Sequence, residues 1–157
     1  YNGFDISCYK GTDGGILEIP FGGVPPYYYE LSTGQNTNPI NFLGSGYYTL
    51  FLYDNNGCLW IDTITLYEPD SFYVNINSIT DTCSRGVGKI EVSAYGGVSP
   101  YEYLRNINTS SPIVDNLASG DYNILISDLN ECLIDKIIIV ANLPKPDINF
   151  LVYSDYD

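Results

Sequence analysis

The chain has 157 residues, with 19 acidic against 6 basic side chains, no histidine and a formal charge of −13 at pH 7. That balance excludes nucleic acid as a partner, because phosphate backbones demand Lys and Arg. No apolar run approaches the ~18 residues of a membrane-spanning helix, Ile137-Ile138-Ile139-Val140 being far too short, so no membrane insertion is expected.

Glycine (15), proline (9) and Asn/Asp-rich turns separate short runs of Tyr, Ile, Val and Thr, the pattern of an all-β chain. Strands are predicted near 15–21, 27–31, 40–43, 46–54 and 58–67, then near 71–78, 88–95, 101–105, 112–116, 121–128 and 132–141. The spacing is a repeat. Gly22-Gly23-Val24-Pro25-Pro26-Tyr27 returns as Gly96-Gly97-Val98-Ser99-Pro100-Tyr101, displaced by 74 positions (96 − 22), and Gly46-Tyr47-Tyr48 returns as Gly120-Asp121-Tyr122. In copy one, Tyr48, Leu50 and Leu52 alternate with Tyr47, Thr49, Phe51 and Tyr53. Copy two has Tyr122, Ile124 and Ile126 in the same places, so this set is expected inward. Asp54-Asn55-Asn56-Gly57 supplies the hairpin turn that follows. One segment resists the scheme. Ile90, Val92 and Ala94 form an inward face whose equivalents are Ile16, Glu18 and Pro20, whereas Leu17, Ile19 and Phe21 look the better inward set in copy one. Either a bulge shifts the register there or both faces are covered.

Units of about 75 residues bury a modest core and usually need disulfides. The four cysteines fall two per copy in matching places, which selects Cys8–Cys58 and Cys83–Cys132 from three possible connectivities. Bridges imply an oxidising, extracellular setting. A metal site is disfavoured without histidine. The expected architecture is two tandem immunoglobulin-like β-sandwich domains, 1–69 and 70–145, followed by an extension over 146–157. The core tryptophan of antibody domains is absent, Trp60 following a cysteine instead.

A cysteine, a Gly-rich turn, Gly-Gly-x-x-Pro-Tyr-x-Tyr, then Leu-x-x-Gly-x-Tyr, Asp-x-x-x-Cys and a closing x-Pro resembles the SprB-type repeat of gliding-motility adhesins. Copy one carries these elements as Cys8, Gly22-Gly23, Pro26-Tyr27, Tyr29, Leu43, Gly46, Tyr48, Asp54, Cys58 and Glu68-Pro69. Copy two carries Cys83, Gly96-Gly97, Pro100-Tyr101, Tyr103, Leu117, Gly120, Tyr122, Asp128, Cys132 and Lys145-Pro146. It departs in having Glu131 where copy one has Gly57, and in three extra residues before the last proline. The resemblance implies a surface location and tandem β-domains, and no catalytic activity.

Copy two opens with Asp70-Ser71-Phe72-Tyr73-Val74-Asn75, which has no counterpart before Tyr1, while Asp147-Ile148-Asn149-Phe150-Leu151-Val152-Tyr153 follows a second Pro-Asp pair at the other end. The chain is therefore expected to polymerise head to tail as an extracellular filament. Ile148, Phe150 and Val152 would enter the first domain of the next copy, the mode of donor-strand complementation. The competing reading is a fragment of a multi-repeat cell-surface adhesin that binds glycans or a host surface, with Tyr1 in place of Met marking a processed product or a piece. Tyr47, Phe51 and Tyr53 form a candidate contact surface, since copy two has Asp121, Leu125 and Ser127 there. Tyr27-Tyr28-Tyr29 reads as a sugar-stacking platform or simply as strand-forming tyrosine. No cofactor is expected. Calcium is the one candidate, at Asp13, Asp54, Asp121 and Asp128, but the spacing of a calcium loop is missing and Asp54 and Asp128 suit turn caps better. Asn108-Thr109-Ser110 is the single glycosylation sequon. Without histidine there is no nucleophile–base pair, so no enzyme is expected.

Overall fold

The computed structural model describes residues 1–105 and 111–152. Those residues form strands and no helix, as the all-β expectation holds: β1 (Gly14–Ile16), β2 (Tyr28–Leu31), β3 (Ile40–Leu43), β4 (Gly46–Tyr53), β5 (Leu59–Leu66), β6 (Tyr73–Ile79), β7 (Asp81–Thr82), β8 (Gly88–Tyr95), β9 (Glu102–Arg105), β10 (Ile113–Leu117), β11 (Gly120–Ser127), β12 (Leu133–Val140) and β13 (Asn142–Leu143). The sheet orders are β1-β3, β2-β4-β5, β10-β8-β6 and β12-β11-β9, with a short parallel pair of β7 and β13. The chain clusters into two compact units. Among the described residues the first is Tyr1–Val74, Ala94–Glu102 and Ile126–Ile134, and the second is the remainder.

The core of the first unit follows from strand alternation. Leu50 on β4 is buried with Ile6, Ile16, Leu31, Ile40, Leu43 and Leu66, and Tyr29, Tyr48 and Ile64 pack against them. The inner face of β4 is thus Tyr48, Leu50 and Leu52, as the period-two pattern requires. In the second unit Ile90, Val92, Leu117, Ile124, Ile138 and Val140 are buried. Local geometry recurs 74 positions on. Gly22 and Gly96 both have positive φ, as do Phe42 and Asn116, and the peptides before Pro26 and Pro100 are both cis. The Tyr48 hydroxyl donates to the Gly44 carbonyl, and Tyr122 does the same to Ala118.

Three expectations need correction. The strand expected over 15–21 stops at Ile16. Beyond it Glu18 and Pro20 are half-buried, while Leu17, Ile19 and Phe21 point out, Phe21 being 98% exposed. Copy one therefore keeps the register of copy two, and the apolar set judged inward is the outer one. The irregularity at the β1–β3 pairing lies on the Phe42 side and is shared with Asn116, so it does not exchange the faces. The third correction is the disulfide.

Cys8 bonds Cys132, with Cα atoms 5.8 Å apart, and Cys58 and Cys83 are free and exposed. The expected Cys8–Cys58 and Cys83–Cys132 pairs fail for a reason of length. The segment leading to Cys8 is held at the far end of β5, where Asp5 and Ile6 donate to the Tyr67 carbonyl, whereas Cys58 precedes the start of β5. Eight strand residues span ~26 Å, and a bridge needs Cα atoms within about 7 Å. Cys83 and Cys132 are held apart by β12 in the same way, since the Cys83 N–H donates to Leu143 beyond its end.

Candidate functional site

The Asp-x-x-x-Cys turn is the best-defined local structure in each copy. Asp54 Oδ1 accepts from the N–H groups of Asn56 (2.9 Å) and Cys58 (2.8 Å), and Oδ2 from Val24 (3.1 Å). Asp128 repeats this with Asn130 (2.9 Å), Cys132 (2.9 Å) and Val98 (2.8 Å). The carboxylate thus ties the hairpin turn to the Gly-Gly loop and fixes both. The Cys58 N–H, aided by those of Val24 and Asn56 and opposed by burial, holds the Asp54 carboxyl below its ordinary 3.8. Asp81, fully buried, makes a third such knot. Burial pushes its pKa up, but the N–H groups of Val87, Ser119 and Arg85 outweigh it, leaving the carboxyl below the ordinary range. The oxygens of Asp54 and Asp128, weighed as calcium ligands but favoured as turn caps, are taken up by N–H donors of the turns. No cluster of three or more His, Cys, Asp or Glu able to hold a metal occurs among the described residues.

Beside the Asp54 turn lies a groove of about 400 Å³ in the first unit, walled by Ile19, Phe21, Tyr27, Leu52, Leu59 and Trp60, with Cys58 also on its lining. Trp60 pairs with Leu52 in the β4–β5 register, so its side chain belongs to the inner face of the sheet, yet it is 49% exposed. An inward tryptophan half in water marks a core left open at one end.

Copy two shows how the equivalent place is filled. There β6 pairs with β8, completing a three-stranded sheet where β1 and β3 make two strands. Just before β6, the Asp70 carbonyl accepts from the Gly97 N–H (2.9 Å), and the Phe72 ring stacks on Tyr101 with centroids 5.6 Å apart. A Cβ on Gly96 would run into the Ser71 carbonyl, so glycine there admits the crossing segment. The equivalent Gly22 has nothing within 4 Å of such a Cβ, and Tyr27 faces the open groove.

The remaining predicted site residues fall as follows. Ile148, Phe150 and Val152 lie outside any strand, and all three are exposed, Phe150 by 84%. Tyr47 is 81% exposed, and Phe51 and Tyr53 are half-buried on the same face of β4. The register puts Tyr28 across from Tyr53, joining two sets that the sequence reading kept separate, and adds Leu59 beside Tyr53 and Ile61 beside Phe51, which that reading missed. Asn108 lies outside the described residues.

The family model of the SprB repeat matches residues 4–36, which run from the segment before Cys8 through β1 and the Gly22-Gly23 loop to β2 and the turn after it. Over those residues the chain is consistent with a SprB-type repeat. No curated protein matches the chain.

Proposed function

We propose that this chain, with its SprB-type repeat, is a structural subunit of an extracellular filament, each copy a small immunoglobulin-like sandwich, and that subunits join head to tail by strand addition. It acts by assembly and not by catalysis. The observation that carries the reading is the contrast between the copies. The segment Asp70–Ile79 covers the Gly96-Gly97 loop, Tyr101 and the edge of β8, while the same surface around Gly22-Gly23 and Tyr27 is an open apolar groove. The occupant is the exposed segment 147–152 of a second copy, which follows a Pro-Asp pair as Ser71-Phe72 does. An open contact of this kind does not close on itself and generates a fibre. Three buried apolar side chains at roughly 1.5–3 kcal/mol each, with a ladder of backbone bonds, offset the cost of association.

The test is removal of residues 146–157. The full chain is expected to elongate in negative-stain images and by light scattering, and the shortened chain to stay monomeric. Fibres formed equally well by the shortened chain overturn the reading.

The family match favours a second reading, in which the chain is part of a longer surface adhesin and a preceding repeat fills the groove. The exposed face of Tyr47, Phe51 and Tyr53 would then contact glycans or a host surface. The mass of the native polypeptide separates the two, since a subunit dissociates to 17.4 kDa and an array to a much heavier chain.

A further inference from the structure

Two exposed thiols remain, and they are not alike. Cys58 is the equivalent of Cys132 and Cys83 the equivalent of Cys8, by the repeat. The backbone settings agree. The Cys58 N–H donates to Asp54 at 2.8 Å, as Cys132 does to Asp128 at 2.9 Å. Cys83 lies two residues after Asp81, whose N–H donates to Ala141, and Cys8 lies two residues after Ile6, whose N–H donates to Tyr67, the residue equivalent to Ala141. The bridge already formed therefore joins a cysteine of the segment before the first strand, from the earlier copy, to a cysteine after the Asp turn, from the later copy. Asn130 supports the joint by donating to the Ser7 carbonyl at 2.8 Å. The free pair is one of each type in the opposite order. Both members of this second pair are unpaired and exposed, and each carries the backbone setting of its bridged equivalent.

We propose that Cys83 of one chain forms a disulfide with Cys58 of the next, so that the joint of the filament is covalent as well as strand-paired. The inference rests on the strand-addition reading, because Cys58 lines the groove that the donor segment enters. The oxidant is a low-molecular-weight disulfide. One cysteine thiolate attacks it, giving a mixed disulfide and one released thiol. The other thiolate displaces the second thiol, so two protein thiols lose two electrons, the external disulfide gains them, and the two protons end on the released thiols.

The experiment uses the full chain with glutathione disulfide, read by non-reducing electrophoresis, peptide mapping and negative-stain imaging. The expected result is a ladder at multiples of 17.4 kDa that collapses on reduction, with a Cys58–Cys83 peptide pair. Cys58→Ser alone and Cys83→Ser alone stay monomeric on the gel, and their mixture stops at a dimer. Removal of residues 146–157 slows cross-linking by at least about tenfold, because the high effective concentration of thiols at a joint is lost. Fibres with no ladder overturn the covalent joint and leave strand addition standing. Cys58–Cys58 or Cys83–Cys83 pairs, a Cys58–Cys83 bridge within one chain, or an undiminished ladder from the shortened chain also overturn it. Absence of both fibres and ladder overturns the two readings together.

Discussion

The face that the C-terminal segment presents to a groove is testable by single substitutions, because strand registers are all-or-none. In copy two the inward residues are Phe72, Val74 and Ile76, half-buried between exposed Tyr73 and Asn75. Counted from the Pro-Asp pair, their equivalents are Asn149, Leu151 and Tyr153. Apolar content instead selects Ile148, Phe150 and Val152. A slip of one residue exchanges the two sets completely. With Phe150 84% exposed in the free chain, its burial is worth about 2 kcal/mol beyond alanine. Phe150→Ala should then raise the critical concentration for elongation about 30-fold. Leu151→Ala, on the outer face, should change it by about twofold at most, as surface substitutions do. Sedimentation of polymer from free subunit across a concentration series reads both. A large effect at Leu151 with none at Phe150 refutes the assigned register in favour of the Pro-Asp count, and no effect at either refutes insertion of this segment.

Three further outcomes follow from the described structure. Asp54 and Asp81 have pKa values lowered by N–H donors, so their contribution to stability is whole above the ordinary 3.8 and is lost as pH falls through the lower folded-state value; urea midpoints should drop on that acid limb, and less so in Asp54→Asn, which is already weaker at neutral pH. Gly88→Ala places a Cβ 2.6 Å from Val140 and 2.7 Å from the Leu117 carbonyl, and should cost about 1–3 kcal/mol in thermal or denaturant unfolding. Reduction of Cys8–Cys132, which spans 124 positions, should lower unfolding stability by about 2–5 kcal/mol; an unchanged midpoint after reduction refutes a structural role for that bridge.

Strand positions were legible because copy two carries a clean period of two. The run Ile90, Val92, Ala94 places β8 at Gly88–Tyr95, and Ile124 and Ile126 place β11. The same logic misread copy one over 17–21, where Leu17, Ile19 and Phe21 carry the hydrophobicity but Glu18 and Pro20 hold the inward positions. Periodicity reports which face is apolar, and that is the core face only when nothing else claims it. Here the outward apolar side chains Ile19 and Phe21 wall a groove, so an open surface carries the pattern of a core. β7 and β13, two residues each, were missed because no periodicity fits in two residues.

The cysteines failed for a different reason, and that reason bears on the joint. A repeat identifies equivalent positions and says nothing of which positions meet. Matching places of Cys8 and Cys58 in copy one and Cys83 and Cys132 in copy two suggested closure within each copy, yet β5 and β12 hold those pairs a strand's length apart. The sequence did not show this, because Cys8 and Cys83 reach the far ends of those strands only through backbone bonds to Tyr67 and Leu143 made on folding. Once the bridge is seen to step from one copy to the next, each copy contributes one thiol forward and one back. Cys58 and Cys83 are the free thiols, one of each kind, and by the same step they are complementary to each other. The open groove beside Asp54 is the same end of copy one, read from packing instead of from sulfur. An uncovered apolar surface and a free thiol thus coincide in copy one, which is why the proposed joint is placed there and not at the aromatic face of β4.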